Sequence, residues 1–433
     1  MSDSNSVSLF FTLVFALLLG LSLLLRFWLA TRQMRHVAQH RDQVPAAFAA
    51  QISLAAHQKA ADYTLAKGQL GLLELAWGSV VLLAWTLWGG LDSLNQWLLG
   101  WLGGGLRQEL ALLVAFTLIG SVIDLPFSIY QTFVIEERFG FNQTSVKLWL
   151  ADLLKSSLLG VVIGVPLAAL ILWVMGATGS RWWLWAWSVW TGFALLMMWV
   201  VPTLIAPLFN RFEPLKDEAV AQRVNALMQR CGFAAKGLFV MDGSKRSAHG
   251  NAYFTGFGAS KRVVFFDTLL SKLTPAEVDA VLAHELGHFR HKHVLKRMLT
   301  MFALSLAGFA LLGWLSQQAW FYTGLGVRPN WLGITILQAH APTDALALLL
   351  FMLALPVFSF FMTPLFAQLS RAHEFEADAY AVAHTSAQDL SSALLKLHED
   401  NASTLTPDPL YAKVYYSHPP AFERLSRMGA QLG

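Results

Sequence analysis

Long runs of apolar residues recur along the chain, separated by shorter polar stretches. Seven of these runs are long enough to cross the hydrocarbon core of a bilayer, which takes about 20 helical residues. A shorter run at 91–106, broken by Gly and Trp, predicts an interfacial or re-entrant segment. The pattern therefore predicts an α-helical, multi-pass membrane protein. The seven runs lie at about residues 7–30, 70–88, 110–133, 154–175, 183–208, 298–320 and 346–369.

Basic residues predict the orientation of these spans. No Lys or Arg precedes the first run, and no small-residue cleavage site follows it, which favours an uncleaved span over a signal peptide. Because basic loops stay in the cytoplasm, the N-terminus is predicted outside, and seven crossings put the C-terminus in the cytoplasm. The basic residues that end and follow the first run are Arg26, Arg32, Arg35, Arg41, Lys59 and Lys67.

The polar stretches predict a small α/β unit on the cytoplasmic side. Residues 213–233 have a helical period, and the short apolar runs at 237–243 and 261–268 are bounded by turn residues, as strands are. Residues 251–258 predict a third, short strand with an open edge. Helices are predicted at 371–384, 386–400 and 420–431.

The organisation predicted from this pattern has four segments. A membrane domain of five spans occupies 1–210, and the cytoplasmic α/β unit occupies 211–297. Two further spans lie in 298–370, and a C-terminal cytoplasmic part occupies 371–433.

Composition narrows the class of protein. Of 433 residues, 55% are hydrophobic and 13% are charged, which argues against a soluble globular protein. The net charge is +4, and the excess Lys and Arg flank the apolar runs, so the predicted partner is membrane lipid and not nucleic acid. The single cysteine, Cys231, excludes an intrachain disulfide and favours a reducing compartment.

The stretch His284-Glu-Leu-Gly-His288 predicts a metal site. Two histidines four residues apart lie on one helical face, so both imidazoles can reach one metal ion. Glu285 can reach a metal-bound water, and such a site needs a third ligand and an open fourth position. A helix with two surface histidines is the alternative. Thr274 and Glu277 predict a capping box where this helix begins, with Pro275 at the first helical position.

This helix is predicted to lead into the sixth span, with Lys292, Lys296 and Arg297 at the lipid surface. His291 and His293 are predicted to be polar neighbours there and not metal ligands.

The stretch HEFEADAY, residues 373–380, offers the third ligand. On a helix Glu374 and Asp378 share a face, so Glu374 can bind the metal while Asp378 accepts the outer N–H of a ligand histidine. Glu376 points elsewhere and is the rejected alternative. The alternative interpretation is that Glu374, Glu376 and Asp378 lie on a solvated helix face and bind no metal.

Several stretches resemble the integral-membrane zinc metalloproteases of the type-1 CAAX prenyl protease class. Their order along the chain and the count of seven spans are also similar to that family. The resemblance implies seven helices that enclose a water-filled chamber, closed at one end by an α/β zinc protease unit of the gluzincin type. The stretches are ERFGFNQTS, PTLIAPLFNRFEPL, VMDGSKRSAHGNAYFTGFG, KRVVFFDTLL, LAHELGHFRHKH, SRAHEFEADAYA and YSHPPAFERL.

The resemblance also implies roles for individual residues. One Zn²⁺ ion per chain would be held by His284, His288 and Glu374, with Glu285 as the general base. His418, in the Ser-His-Pro-Pro stretch, would stabilise the oxyanion.

A second set of residues would contact the substrate. The resemblance places Arg424 beside the substrate path, and Asn251, Ala252 and Tyr253 on the strand whose backbone pairs with an extended peptide. Gly250 departs from the family pattern, because a Ser is expected before that Asn.

Three acids lie within or at the edge of apolar runs, and intramembrane acids usually face a cavity or a partner. Glu74 and Asp124 weakly support a chamber, whereas Asp152 fits a helix end at the interface equally well.

The function predicted is a membrane-embedded zinc endopeptidase that acts on peptide or protein substrates, including lipidated or membrane-inserted ones. Its alternatives are a quality-control protease of the heat-shock membrane type and a transporter with a structural zinc ion. An inactive relative that binds lipidated proteins is disfavoured, because no ligand or base is missing. Compact loops and the lack of an ER-retention ending favour a bacterial inner membrane over the endoplasmic reticulum.

Overall fold

The computed structural model describes residues 2–233, 237–255, 262–333 and 341–429. Within these residues, seven helices are long and apolar enough to cross a membrane, which confirms the predicted number. Each overlaps a predicted run and most extend beyond it into polar sequence. They are Asn5–Gln39, Leu54–Trp85, Leu106–Glu136, Val146–Ala177, Gly179–Phe209, His293–Leu315 and Asp344–His384.

Three of the first five spans contain short π-helical segments. The third span ends in a π-helical segment, Gln131–Glu136, and π-helical turns also interrupt the fourth and fifth spans. The run at 91–106 contains a helix of 13 residues between the second and third spans. The helices are α1 (Ser2–Gln39), α2 (Leu54–Trp85), α3 (Gly90–Leu102), α4 (Leu106–Tyr130), α5 (Val146–Leu159), α6 (Val165–Ala177), α7 (Trp182–Val200) and α8 (Ala206–Phe209).

A four-stranded sheet follows, in the order β1-β2-β4-β3. Strand β2 is parallel to β4, and the outer strands β1 and β3 are antiparallel to their neighbours. The predicted strands are confirmed where they are described, and residues 256–258 and 261 of these predictions lie outside the described residues. The elements are β1 (Phe212–Pro214), α9 (Glu218–Arg230), β2 (Gly237–Met241), β3 (Ala252–Thr255), β4 (Arg262–Phe266), α10 (Asp267–Leu270) and α11 (Pro275–Arg290).

The predicted helix at 371–384 is part of a longer helix. It starts at Thr363, one 3-10 turn after the helix of the seventh span, so the predicted boundary between 370 and 371 falls inside it. The remaining elements are α12 (His293–Leu315), α13 (Ala319–Thr323), α14 (Asp344–Ser359), α15 (Thr363–His384), α16 (Ala387–Asp400), α17 (Pro409–Tyr415) and α18 (Ala421–Met428).

The motif helix leads into the sixth span, with a two-residue break between the two helices. Helix α11 begins with the predicted capping box, in which Thr274 and Glu277 exchange side-chain and backbone hydrogen bonds. It ends at Arg290, however, and Lys292 takes a left-handed conformation with φ of 57°. A non-glycine residue in that conformation cannot continue a helix, so α12 begins separately at His293.

The protease unit has its own hydrophobic core, distinct from the core among the spans. Phe265 of β4 and Leu286 of α11 are buried in it. Phe48 and Ile52, from the connection between α1 and α2, are buried in the same core. This connection therefore attaches the membrane domain to the protease unit.

Helices α11 and α15 make backbone contact at Gly287. A Cβ atom at this position would lie 2.9 Å from Cα of Ala377 and 3.1 Å from its carbonyl oxygen. Real Cβ atoms do not approach backbone so closely, so only glycine allows this crossing. The crossing brings the histidine face of α11 against the face of α15 that carries Glu374.

We expect Gly287→Ala to destabilise the protein by about 1–3 kcal/mol, the usual effect of overpacking, because the obstructing atoms are backbone. Thermal unfolding of the detergent-solubilised protein measures this. Gly78→Ala is the control, since its Cβ would meet nothing within 4 Å, and it should leave the melting temperature unchanged or raised. Equal melting of Gly287→Ala and wild type would contradict the steric argument.

Candidate active site

Three side chains converge where α11 and α15 cross. The Nε2 atoms of His284 and His288 lie 3.2 Å apart. Glu374 places Oε2 3.5 Å from Nε2 of His284 and Oε1 3.4 Å from Nε2 of His288. Ligands about 2.05 Å from a tetrahedral zinc ion lie ~3.3 Å from one another, so these spacings fit such an ion.

The environment of the buried carboxylate of Glu374 also fits a bound cation. Its Oε2 atom is buried and has no hydrogen-bond partner, an arrangement that costs free energy unless a cation compensates it. The three residues form a group whose ligand atoms all lie within 4.8 Å of one another. The donor set and the uncompensated oxygen both fit a divalent metal ion.

Asp378 and Arg424 lie behind the first histidine. Nδ1 of His284 lies 2.9 Å from Oδ1 of Asp378, so a hydrogen on Nδ1 is held there and Nε2 keeps its lone pair for a metal. Arg424 donates to both oxygens of Asp378. Asp378 is 3% exposed and Arg424 is 5% exposed. Arg424 lines the cavity described below, but its guanidinium is used to hold Asp378.

The second histidine has a different partner, which sequence reasoning missed. Nδ1 of His288 lies 2.9 Å from Nδ1 of His293, and Nε2 of His293 lies 2.7 Å from Oε2 of Glu376. The structure therefore brings His293 into direct contact with a candidate ligand, and places Glu376 outside the ligand group. No helical period predicts this contact, because His293 lies beyond the break at Lys292.

Burial and charge set the protonation states on α11. Burial alone would lower the pKa of His284, but the hydrogen bond that it donates to Asp378 and the nearby carboxylate of Glu374 outweigh burial and raise that pKa to about 9. Burial and the nearby His284 lower the pKa of His288 to about 4, which keeps it neutral. Burial raises the pKa of Glu285 above its ordinary value, which brings this carboxylate closer to the range useful for a general base.

His418 also contacts the candidate ligand group, through Glu374. Its Nε2 atom lies 3.4 Å from Oε1 of Glu374, although the two residues are far apart in the chain. The side chain is 66% exposed and lines the same cavity as Glu285. An imidazole N–H in this position can donate to an oxygen that sits beside the metal.

A cavity of ≈ 1300 Å³ contains the site in its wall. The protease unit and the C-terminal part line one side, and Arg26 of α1 and Lys67 of α2 line the other. The cavity therefore extends from the candidate metal ligands to the first two spans. Other lining residues from α1 and α2 are Ala30, Gln33, Met34, Tyr63, Thr64, Gly68, Gly71, Leu72 and Leu75.

The three acids in the apolar runs do not line this cavity. Glu74 and Asp124 are exposed on the surfaces of their helices. Asp152 forms an ion pair with Arg246 of the protease unit, at 2.8 Å. Asp152 therefore has a partner and connects the fourth span to the protease unit.

The predicted substrate strand lies at the edge of the sheet, with β4 on one side only. Asn251 and Ala252 line the large cavity, whereas Tyr253 lines a second cavity of ≈ 520 Å³. At Gly250, the nearest atom to an added Cβ is 3.6 Å away, on Leu269. A side chain such as the expected Ser would therefore fit at this position, and the glycine is not required for steric reasons.

The metal-ligand group and the cavity, which membrane helices α1 and α2 line in part, define a class, the membrane metalloproteases. Residues 33–211 match the model described as CAAX prenyl protease N-terminal, five membrane helices, and residues 214–431 match Peptidase family M48. The chain belongs to the CAAX prenyl protease 1 family of M48 metallopeptidases. It is accordingly a membrane metalloendopeptidase that acts on peptide or protein substrates.

Individual relatives agree with this assignment. The chain is 37% identical over 339 residues to the CAAX prenyl protease 1 homolog of Arabidopsis thaliana, covering 78% of this chain and 74% of the relative. It is 36% identical over 330 residues to CAAX prenyl protease 1 of Saccharomyces cerevisiae, covering 74% and 72%. The crystal structure of S. mikatae Ste24p superposes with a TM-score of 0.88 at 30% identity, covering 96% and 98%.

These comparisons bear on two alternatives. Nothing in them favours a transporter over a protease. The relatives named above are eukaryotic, so they give no support to the bacterial origin favoured by the loops.

We expect Glu374→Ala to lose bound metal, because it removes the carboxylate that faces both histidines. Glu376→Ala should retain about one metal ion per chain when metal is in excess, because Glu376 contacts neither histidine of the motif. Metal analysis of the purified variants after gel filtration distinguishes the two. The reverse pattern would show that Glu376 is the ligand.

Proposed function

We propose that the metal is a single Zn²⁺ ion per chain, held by His284, His288 and Glu374, and that the protein uses it to hydrolyse peptide bonds at the membrane. Two imidazoles and one carboxylate form a donor set typical of catalytic zinc, with a fourth position open. The observation that carries the proposal is the placement of Glu285 beside this donor set, facing the same cavity.

The proposed chemistry assigns a separate task to each side chain. Bound zinc supplies a Lewis acid that polarises a carbonyl and acidifies water. Glu285 accepts the proton of the attacking water and passes it to the leaving amine. His418 donates a hydrogen bond to the oxygen that becomes negatively charged. Asp378 keeps His284 in the tautomer that leaves Nε2 free.

The substrate is proposed to bind as an extended peptide along β3. Edge strands have unpaired backbone groups that can pair with another chain, and Asn251 and Ala252 lie where β3 meets the cavity. The side chain of Tyr253 lies on the opposite face of β3, where it lines the second cavity. Arg424 lines the same cavity and holds Asp378, so we propose that it affects substrate binding indirectly.

We further propose cleavage near the C-terminus of a lipidated, membrane-anchored protein, as the names of the relatives suggest for them. Quality control of membrane proteins is the second candidate function. The cavity of ≈ 1300 Å³ supports it, because a cavity of this size can hold a peptide longer than a few residues. Protein mass spectrometry of membranes with active and Glu285→Gln enzyme distinguishes C-terminal trimming from internal cuts.

The proposed arrangement in the membrane follows the basic residues. The N-terminus lies outside, and the active site and C-terminus lie in the cytoplasm, with a bacterial inner membrane favoured by the compact loops. Residues 1–210 and 298–370 form the membrane part, and 211–297 and 371–433 form the active site. The family-model matches at 33–211 and 214–431 support a division near residue 211.

We expect Glu285→Gln to abolish cleavage of a quenched peptide while zinc stays near one per chain. Gln keeps the size of the side chain but cannot accept the proton, and Glu285 is not in the ligand group. Fluorescence assays and metal analysis of the same preparation check this. Retained cleavage would exclude Glu285 as the base, and lost zinc would indicate a structural role instead.

Orientation can be tested with single cysteines in a Cys231→Ser background. We expect Glu399→Cys, on the exposed side of α16, to react with an impermeant maleimide only after the membrane is opened. Ser93→Cys, on the exposed side of α3, should react in intact cells. The opposite pattern would reverse the orientation of the whole protein.

A further inference from the structure

The contact behind His288 continues to the protein surface. Nε2 of His288 faces His284 and Glu374, and its Nδ1 faces Nδ1 of His293 at 2.9 Å. His293 is 2% exposed, and its Nε2 meets the carboxylate of Glu376 at 2.7 Å. The side chain of Glu376 is 46% exposed. Two side chains, those of His293 and Glu376, thus connect a candidate metal ligand to solvent.

Metal binding at Nε2 of His288 allows only one arrangement of hydrogens along this connection. The ligating nitrogen needs its lone pair, so the hydrogen of His288 lies on Nδ1. That hydrogen can be donated only to an unprotonated Nδ1 of His293, whose own hydrogen must then lie on Nε2. Glu376, as a carboxylate, accepts that hydrogen. Each donor therefore meets an acceptor.

We propose that His293 is a positioning residue, which fixes the tautomer and ring orientation of His288 for metal binding, and that Glu376 in turn fixes His293. The inference rests on the proposed role of His288 as a metal ligand. It assigns His288 a support equivalent to the one that Asp378 gives His284, except that an imidazole stands between ligand and carboxylate. Such partners raise metal affinity by orienting the ligand before the metal arrives.

The surroundings of His293 provide a matched control. The ring of His373 stacks on the ring of His293 with centroids 4.0 Å apart. The ring of His291 also stacks on His293, with centroids 5.6 Å apart. Nδ1 of His291 lies 4.0 Å from Oε2 of Glu376, beyond hydrogen-bond distance. His291 therefore belongs to the same cluster, but no hydrogen bond joins it to His288.

The test compares His293→Gln with His293→Leu in the full-length protein in detergent. Gln offers a side-chain oxygen that can accept from Nδ1 of His288, and Leu has a similar volume but no acceptor. Zinc affinity is measured by competition with a chelator, and kcat and KM are measured at saturating zinc. His291→Leu is the control.

We expect His293→Leu to raise the Kd for zinc by about 10- to 100-fold. His293→Gln should recover most of the affinity, His291→Leu should bind zinc like wild type, and KM should stay unchanged in all three. Wild-type affinity in His293→Leu would overturn the proposal. Equal weakening by Gln and Leu would also overturn it, because the loss would then come from packing and not from the hydrogen bond.

Glu376→Ala keeps the proposal testable if His293→Leu does not fold. This change lies at a half-exposed position and removes the acceptor of His293 without opening the core. We expect zinc to bind about tenfold more weakly, with one ion per chain still bound in excess zinc. An unchanged Kd would overturn the role of Glu376. Failure of the wild type itself to bind zinc is a different result, which would overturn the proposed metal site.

Discussion

Helices α11 and α15 cross with their backbones in contact at Gly287 and Ala377, where an added Cβ would lie 2.9 Å from backbone. Side chains four residues apart share a helical face, so this crossing places His284 and His288 opposite Glu374. A side chain at Gly287 would push the two helices apart, and the distance between the Glu374 carboxylate and the two imidazoles would increase by about the thickness of a methyl group. The metal site, the support by Asp378 and the placement of Glu285 all depend on this contact.

The same helix explains how a reaction that consumes water takes place within an apolar protein. Glu374 lies 11 residues after Thr363, so it is about 16 Å along α15 from the start of that helix. The cavity reaches back to Arg26 of α1, whose guanidinium lies 4.4 Å from the ring of Phe360. A charged side chain within a span requires water or a partner, so Arg26 adds a polar group that water can solvate to the cavity wall.

Sequence periodicity was sufficient for features that lie within one element. The spans followed from length and hydropathy, and the capping box of α11 from the spacing of Thr274 and Glu277. Features that depend on contacts between distant segments were not predictable in the same way. Strand β1 has three residues, and its pairing with β2 defines it. Likewise, Phe48 in the core and His293 behind His288 depend on the fold as a whole.

Charge balance explains why the buried cluster favours a cation. Glu374 and Asp378 bring two negative charges into the interior, and Arg424 compensates one of them through its hydrogen bonds with Asp378. The second charge is left with a buried oxygen that has no hydrogen-bond partner. The carboxylates of Asp378 and Glu374 both favour a proton on His284, which is why the pKa of His284 is raised despite burial. A divalent ion at the same place replaces that proton and satisfies the oxygen directly, so the cost of burying the carboxylate favours metal binding.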